Sequence, residues 1–313
     1  MMTGDQTPTG SRLCRACGSA DAIGRGELLW PLDWVCGSCG HSLTCSAGFV
    51  QLAPELDDGD EGYDPESFDF LEKVESGHFW FRSRNKLIAW LADKHAPQAQ
   101  RVMEIGCGTG FVLHALKKAL PAALICGSEL HSKGLFIANM RHGRSVELLQ
   151  MDARRAGLSD AVDLIGAFDV LEHIPEDEAV LAECFRMLRP GGALIATVPQ
   201  HRWMWSAQDE LAHHARRYRR GELARKSSRA GFQPVYQSSF VSLAFPLMAA
   251  SRLLRGKGKN VEEKRTRVEA EFKLPPLANK AMLALQDAEH LMRRAGVKFP
   301  FGGSQVLVAR KPA

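Results

Sequence analysis

Arg101–Gly110, "RVMEIGCGTG", runs an apolar strand straight into three spaced glycines, and the ligand such a turn would hold decides the rest of the reading. A glycine-rich turn after the first strand of an open parallel sheet sets backbone N–H groups and a helix N-terminus beside a ligand. A dinucleotide site requires G-x-G-x-x-G. Gly106, Gly108 and Gly110 give G-x-G-x-G instead, and Phe111 stands where the dinucleotide pattern needs glycine. A Walker loop is excluded because no Gly-Lys-Ser/Thr follows.

Around the turn the sequence alternates strand-like and amphipathic helical runs: "FVLHALKKAL", "ALICGSE", "SKGLFIANMRHG", "VELLQMD", "AVDLIGAFDV", "DEAVLAECFRMLR" and "GALIATVP". This predicts an α/β fold with a parallel sheet covered on both faces. "FQPVYQSSF" and "SQVLVARK" read as two further strands. The roughly sixty residues between them are too many for a structureless loop and should carry helices. "VSLAFPLMAASRLL" and "LANKAMLALQDAEHLMRRAG" are the two candidates, the second with Met282, Leu285, Leu291 and Met292 on one face.

Acidic residues at successive strand ends narrow the ligand. Glu104 precedes the turn, where a carboxylate would repel phosphate yet help hold an ammonium group. Glu129 ends the second strand and can accept ribose hydroxyls, with Leu130 beside it. Asp152 follows the third strand and can receive an adenine amino group, with Ala153 beside it. Cys107 lies within the turn itself. Three acids without a phosphate partner describe an adenosine carrying a cationic amino-acid tail, which is S-adenosylmethionine.

With "VMEIGCGTG", "ICGSEL", "LLQMDA", "FDVLEHIPEDE", "MLRPGGALIATVP" and "RAGF" in this order, the chain resembles the class I S-adenosylmethionine-dependent methyltransferases over about residues 77–240 and the final strand. The resemblance implies a Rossmann-like seven-stranded sheet in order 3-2-1-4-5-7-6 with the last strand antiparallel. It also implies that Asp169 and Leu171 line the cofactor.

Ahead of this domain, Cys14/Cys17 ("CRAC") and Cys36/Cys39 ("CGSC") are separated by eighteen residues, within the window for a structural zinc ribbon. Four thiolates suit zinc and close its shell, leaving no open position for catalysis. His41 and Cys45 are nearby but unnecessary. A module of about forty residues has little core, so the metal should supply much of its folding free energy. The expected organisation is a zinc-ribbon-like module at 11–53, an acidic linker at 54–76, and a methyltransferase domain at 77–313 with a helical cap insertion at about 241–302. Similar cysteine modules precede both some ribosomal-RNA guanine methyltransferases and some deoxysugar methyltransferases, so the module does not choose a substrate.

Methyl transfer is an in-line displacement, so the protein must hold the acceptor close to the methyl carbon, with any base in hydrogen-bond reach. After the fifth strand, "PQHRWMWSAQDELAHHARRYRRGEL" resembles a segment of a bacterial branch of the family with W-S-x-x-D-E followed by H-x-R-R-Y. His214 is the first candidate base, with Asp209 orienting it or acting in its place, and His173 of "LEHIP" ranks second. A surface lid whose charges pair among themselves is the alternative. Upstream, "HFWFRSRN" sets three aromatics beside Arg82 and Arg84, suiting a cofactor cover with Arg84 reaching the cofactor carboxylate; helix packing would use the aromatics equally well.

The 313-residue chain has 45% apolar residues and a net charge of +4, which is too mild to announce nucleic acid. Basic residues cluster at 213–226 and 255–267. The N-terminus has no apolar signal core and no run is long enough to span a membrane. Eight cysteines, four of them in two pairs, fit a metal site in a reducing compartment, so the expected location is the cytoplasm. The apolar stretch near 240–256 with its cationic end suits a substrate cap or peripheral contact with a membrane. The leading expectation is methyl transfer to a small-molecule or lipid-linked metabolite of sugar, polyketide or isoprenoid type. The alternatives are an RNA methyltransferase gripping RNA through the ribbon, and a non-catalytic binding protein that keeps the cofactor fold.

Overall fold

The computed structural model describes residues 10–57, 65–254 and 261–313. In chain order its first elements are β1 (Ser11–Leu13), β2 (Ala20–Ala22), β3 (Thr44–Ser46), β4 (Phe49–Gln51), α1 (Ser67–Val74) and α2 (Phe79–His95). The alternating region follows: β5 (Arg101–Ile105), α3 (Phe111–Ala119), β6 (Leu124–Glu129), α4 (Ser132–His142), β7 (Glu147–Gln150), β8 (Leu158–Ser159), β9 (Val162–Phe168), α5 (Asp177–Met187) and β10 (Leu188–Pro199). The chain then runs through α6 (Ala207–Leu211), α7 (Glu222–Arg229), β11 (Gln233–Phe240), α8 (Phe245–Leu254), α9 (Val261–Phe272), α10 (Pro276–Arg294) and β12 (Ser304–Arg310).

The central sheet runs β11-β12-β10-β9-β5-β6-β7-β4-β3. β12 is antiparallel to both of its neighbours, while β5, β6, β7, β9 and β10 pair in parallel. From β7 to β11 the order is 3-2-1-4-5-7-6. The sheet is nine-stranded, however, not seven-stranded, because β4 adds to β7 in parallel and β3 folds back on β4. Every residue of β5 is buried, as expected of a strand covered on both faces. Met103 and Ile105 face one apolar core and Val102 the other.

Residues 11–53 pack into the first of these cores. Ile23, Leu29, Trp30 and Trp34 lie with Val50, Leu52, Met103 and Ile165. β1 pairs with β2 and also with β8 of the following domain. The Glu147 carboxylate accepts the backbone N–H groups of Leu29 (2.9 Å) and Trp30 (2.6 Å), and Arg101 donates to the carbonyls of Gly24 and Glu27. The division at residue 53 is therefore one of sequence pattern; backbone pairing and core run across it. Within 54–76, α1 begins at Ser67 and buries Phe68, although acidic composition reads as linker; residues 58–64 lie outside the described residues.

The insertion between β11 and β12 is helical. α8 and α10 fall on the two candidate stretches, and α9 is a third helix that its charged sequence did not announce. The expected face of α10 is corrected. Met282 and Leu285 pack on the core, but Leu291 is 67% exposed and Met292 41%. The buried residues of α10 are Gln286, Glu289 and Arg293. Arg293 donates to Glu289, to the Ser238 hydroxyl and to the Ser239 carbonyl, so this helix docks on β11 through a paired polar cluster that a hydrophobicity pattern cannot reveal. The basic stretch at 255–259 lies outside the described residues.

Candidate functional site

The glycine turn sits at the C-terminal edge of the sheet, where strand order reverses between β5 and its neighbours β6 and β9. In open α/β sheets such a crevice is where ligands bind. Gly106, Gly108 and Gly110 have φ of 67°, 51° and 75°. At Gly106 the requirement is steric as well, since a Cβ would meet Val170 Cγ2 at 2.4 Å. The turn and the tips of β6, β7 and β9 line a cleft of about 780 Å³.

Glu129 is the organising acid. It accepts from the N–H groups of Gly108 (3.0 Å), Leu130 (2.8 Å) and His131 (3.4 Å), which fixes the turn and still leaves a carboxylate lone pair for a ligand hydroxyl. Glu104, 2% exposed, has an Oε2 without a hydrogen-bond partner. Burial holds its carboxyl well above the usual carboxylate range, and the Arg84 charge opposes that shift. A buried, unpartnered carboxyl in the cleft wall is what an ammonium group would satisfy.

Asp152 and Ala153 also line the cleft, and Asp152 is paired with Arg154 Nε (2.9 Å). Asp169 adopts a left-handed φ of 59° and takes an ion pair from Arg84 (2.6 Å), whose guanidinium lies 4.6 Å over the Trp80 ring. Cys107 lines the cleft as well. Leu171 does not: it is fully buried in the core, and the neighbouring Val170 faces the cleft instead. Of the upstream arginines, Arg82 is exposed and Arg84 reaches the site.

The opposite wall comes from the segment after β10. Ser206 and Asp209 form a capping box at the start of α6, and Asp209 is fully buried. Its carboxylate accepts from the Ser206 N–H and hydroxyl, from Arg217 Nε (2.6 Å) and the same guanidinium's second nitrogen (2.9 Å), and from His214 Nδ1 (2.9 Å). Burial disfavours its charge, but the bonds from His214 and Arg217 prevail and hold it well below the usual carboxylate range. An ionised Asp209 can only accept, so the proton of His214 sits on Nδ1 and Nε2 keeps the lone pair. Asp209 does not line the cleft; it contacts the imidazole at Nδ1 from behind.

His173 packs edge-on against His214 with ring centroids 4.6 Å apart, and burial pulls its pKa down to about 3. Glu172, His173 and His214 bring ligand-type atoms within 4.8 Å of one another. Sequence reasoning passed over Glu172. It is 1% exposed, lines the cleft, and has an Oε2 without a hydrogen-bond partner; burial and then Asp169 push its carboxyl well above the usual range. The available signal was its place beside His173 in "LEHIP". Two further charges of the segment pair with residues outside it, Arg216 with Asp177 and Glu210 with Lys264 of α9.

The cover over the cleft was also missed. Phe68 and Phe70 of α1 and Val268, Glu269 and Phe272 of α9 line it. Phe272 stacks on Phe81 with centroids 5.9 Å apart and meets Phe70 edge-on at 5.5 Å. The signal for α1 was the phenylalanine pair inside "SFDFLEKV".

Cys14, Cys17, Cys36 and Cys39 gather their sulfurs within 4.8 Å of one another. Cys14 Sγ lies 3.7 Å from Cys39 Sγ, and Cys17 Sγ 3.7 Å from Cys36 Sγ. Tetrahedral zinc with Zn–S bonds of about 2.3 Å sets its sulfurs roughly 3.8 Å apart, so the donor set and spacing fit that ion. The Ser19 hydroxyl lies 3.1 Å from Cys17 Sγ and 3.2 Å from Cys36 Sγ, where it can support thiolate charge.

The sheet order and the glycine turn are those of the class I methyltransferase fold. Residues 103–196 match the family model described as a methyltransferase domain. The chain is 28% identical over 110 residues to a ubiquinone biosynthesis O-methyltransferase of Pseudomonas savastanoi pv. phaseolicola, an alignment covering 34% of this chain and 47% of that protein. A probable S-adenosylmethionine-dependent methyltransferase of Mycolicibacterium smegmatis is 27% identical over 163 residues, covering 50% of this chain and 60% of that protein. The chain thus spans about half the length of the curated relatives it matches. Among solved structures, Haemonchus contortus phosphoethanolamine N-methyltransferase 2 with S-adenosyl-L-methionine superposes with a TM-score of 0.53 at 16% identity, covering 94% of this chain and 62% of that one. The [4+2]-cyclase SpnF does so with a TM-score of 0.51 at 19% identity, covering 82% and 89%. These likenesses show the fold alone, and the cyclase illustrates that the fold does not dictate the reaction.

Proposed function

We propose that this protein transfers a methyl group from S-adenosylmethionine to a proton-bearing atom of a small-molecule or lipid-linked metabolite, with His214 as general base. The observation that carries this reading is that one cleft is lined both by the Glu129-organised glycine turn and by His214, backed by a buried aspartate. When bound, S-adenosylmethionine supplies an electrophilic methyl group. Glu129 would offer its remaining lone pair to the ribose hydroxyls, and Glu104 with Arg84 would hold the amino-acid end. Asp152 and Ala153 would border the adenine. His214 Nε2 would take the proton of the acceptor atom as that atom displaces the sulfur from the methyl carbon, with S-adenosylhomocysteine as the leaving group, while Asp209 would hold the tautomer and stabilise the imidazolium formed. The aromatic cover of Phe70, Phe81 and Phe272 keeps water from the nucleophile.

In this reading the four-cysteine site binds a structural zinc ion, and its thiolates suit a reducing compartment such as the cytoplasm. Among the described residues no helix is long and apolar enough to cross a membrane. The test is to incubate a cell extract with methyl-labelled S-adenosylmethionine and the purified protein. Label in the small-molecule or lipid fraction is expected. Label confined to RNA would replace this reading with an RNA methyltransferase, and no label with no cofactor binding would leave a binding protein.

A further inference from the structure

Glu104 and Glu172 both line the cleft with a buried carboxyl oxygen that has no hydrogen-bond partner among the described residues. Glu104 answers to the ammonium group of the proposed cofactor, whereas Glu172 has no such use, and a buried polar atom left this way calls for an explanation. The acids near Glu172 already have counter-ions: Asp169 is paired with Arg84 (2.6 Å), and Asp209 with Arg217 (2.6 Å). Two imidazoles stand beside it instead. One ligand-type atom from each of Glu172, His173 and His214 lies within 4.8 Å of the others, and all three residues line the cleft. They come from two segments, the turn after β9 and the stretch after α6, which the Ala215 N–H ties together by donating to the Glu172 carbonyl (2.7 Å). The two rings meet edge-on at 4.6 Å. His214 also has the support that metal-bound imidazoles carry: the buried Asp209 carboxylate holds Nδ1 (2.9 Å), which orients the ring and leaves Nε2 as the donor atom.

We infer that Glu172, His173 and His214 form a site for a first-row divalent cation, separate from the four cysteines. A carboxylate with two imidazoles is a donor set such ions take, and three protein ligands leave a position open toward the cleft. Metal–ligand bonds of about 2.1 Å would draw the three donor atoms together, and binding would displace any proton that Glu172 carries. Without thiolates the site should hold its ion less tightly than the cysteines hold theirs, so the purified chain keeps a single zinc. Nε2 of His214 has one lone pair, and a bound cation and an incoming proton therefore exclude each other. Occupancy should silence the proposed base; that consequence rests on the methyl-transfer reading, whereas the site itself does not.

The probe is cobalt(II), titrated into the full chain with its cysteine site already filled by zinc. Wild type should take it up with a visible ligand-field band and no thiolate charge transfer. Glu172→Gln and His214→Ala should each bind cobalt at least about tenfold more weakly. Retained S-adenosylhomocysteine affinity shows an intact cleft in each variant, and if one loses it the other decides. Unchanged cobalt affinity in an intact variant, no uptake by wild type, or uptake seen only as thiolate charge transfer would overturn the site. In the labelled-extract assay, saturating cobalt should lower methyl incorporation by the wild type at least about tenfold, as expected when a general base is blocked. Undiminished or increased incorporation with cobalt bound would overturn the exclusion and remove His214 as the base. No incorporation with or without cobalt, by a chain that binds cobalt as expected, would sink the methyl-transfer reading and leave the cation site standing.

Discussion

His214 Nδ1 lies 2.9 Å from Asp209 Oδ1, and Arg217 donates to the same carboxylate through Nε, to Oδ1, and through one terminal nitrogen, to Oδ2. This relationship assigns different work to residues that the sequence could only group together. His214 lines the cleft, while Asp209, which does not, accepts from both His214 and Arg217. His214→Ala should therefore keep S-adenosylhomocysteine affinity and lower turnover by roughly a hundredfold or more. Calorimetry and single-turnover methylation check the two halves, and an unchanged rate removes His214 from the role.

Asp209→Asn should behave differently. It leaves Arg217, whose side chain is 9% exposed, without its carboxylate partner, so the fold should lose about 3 kcal/mol as a buried pair is broken from one side. The asparagine would also relax the imidazole tautomer. Urea unfolding alongside kinetics should show both effects in Asp209→Asn and only the kinetic one in His214→Ala.

Glu129→Ala should weaken cofactor binding by about ten- to a hundredfold, the loss expected when one or two charge-assisted hydrogen bonds go. It also frees the Gly108 N–H from its partner, so amide exchange in the turn should quicken even without ligand. Retained affinity for S-adenosylhomocysteine would place the cofactor elsewhere.

The pH response of stability should carry the mark of His173. Its pKa is held down to about 3 by burial, whereas an unfolded imidazole titrates near 6.5. Its contribution to stability is complete above the unfolded value and declines as pH falls toward the folded one, because only the unfolded chain takes up the proton in that window. Between pH 6 and 5 this costs about 1 kcal/mol. His173→Gln should lose less stability than wild type over that interval in parallel denaturant titrations.

Metal removal should be felt beyond the cysteine module. β4 pairs with β7, and Gln150 at the end of β7 exchanges hydrogen bonds with Ala53 (2.9 and 2.8 Å). The Gln150 amide also reaches the Leu130 carbonyl beside Glu129. Chelation, or Cys36→Ser, should lower the melting temperature and reduce amide protection in β7, read by hydrogen exchange. Zinc analysis should give one ion per chain. Unchanged protection in β7 would show the module to be energetically separate.

The parallel sheet, the glycine turn, the acids at strand tips and the paired cysteines were all legible in the sequence. Each rests on local chemistry: period, φ preference, or ligand spacing along a short stretch. Leu171 was misplaced because one residue of rotation at a strand end separates core from cleft, and backbone conformation at Asp169 sets that rotation. α9 stayed hidden since Phe272 earns its place by stacking on Phe81, a partner nearly two hundred positions away.

The sequence by itself determined the class of fold, the kind of cofactor its turn suits and the metal its cysteines suit, since these follow from residue type and spacing. Tertiary structure alone decided that the N-terminal strands extend the central sheet, that Asp209 stands behind His214 instead of facing the cleft, and that Phe272 of α9 stacks on Phe81. Those outcomes depend on which distant surfaces bury one another, and no periodicity along a single chain encodes that pairing.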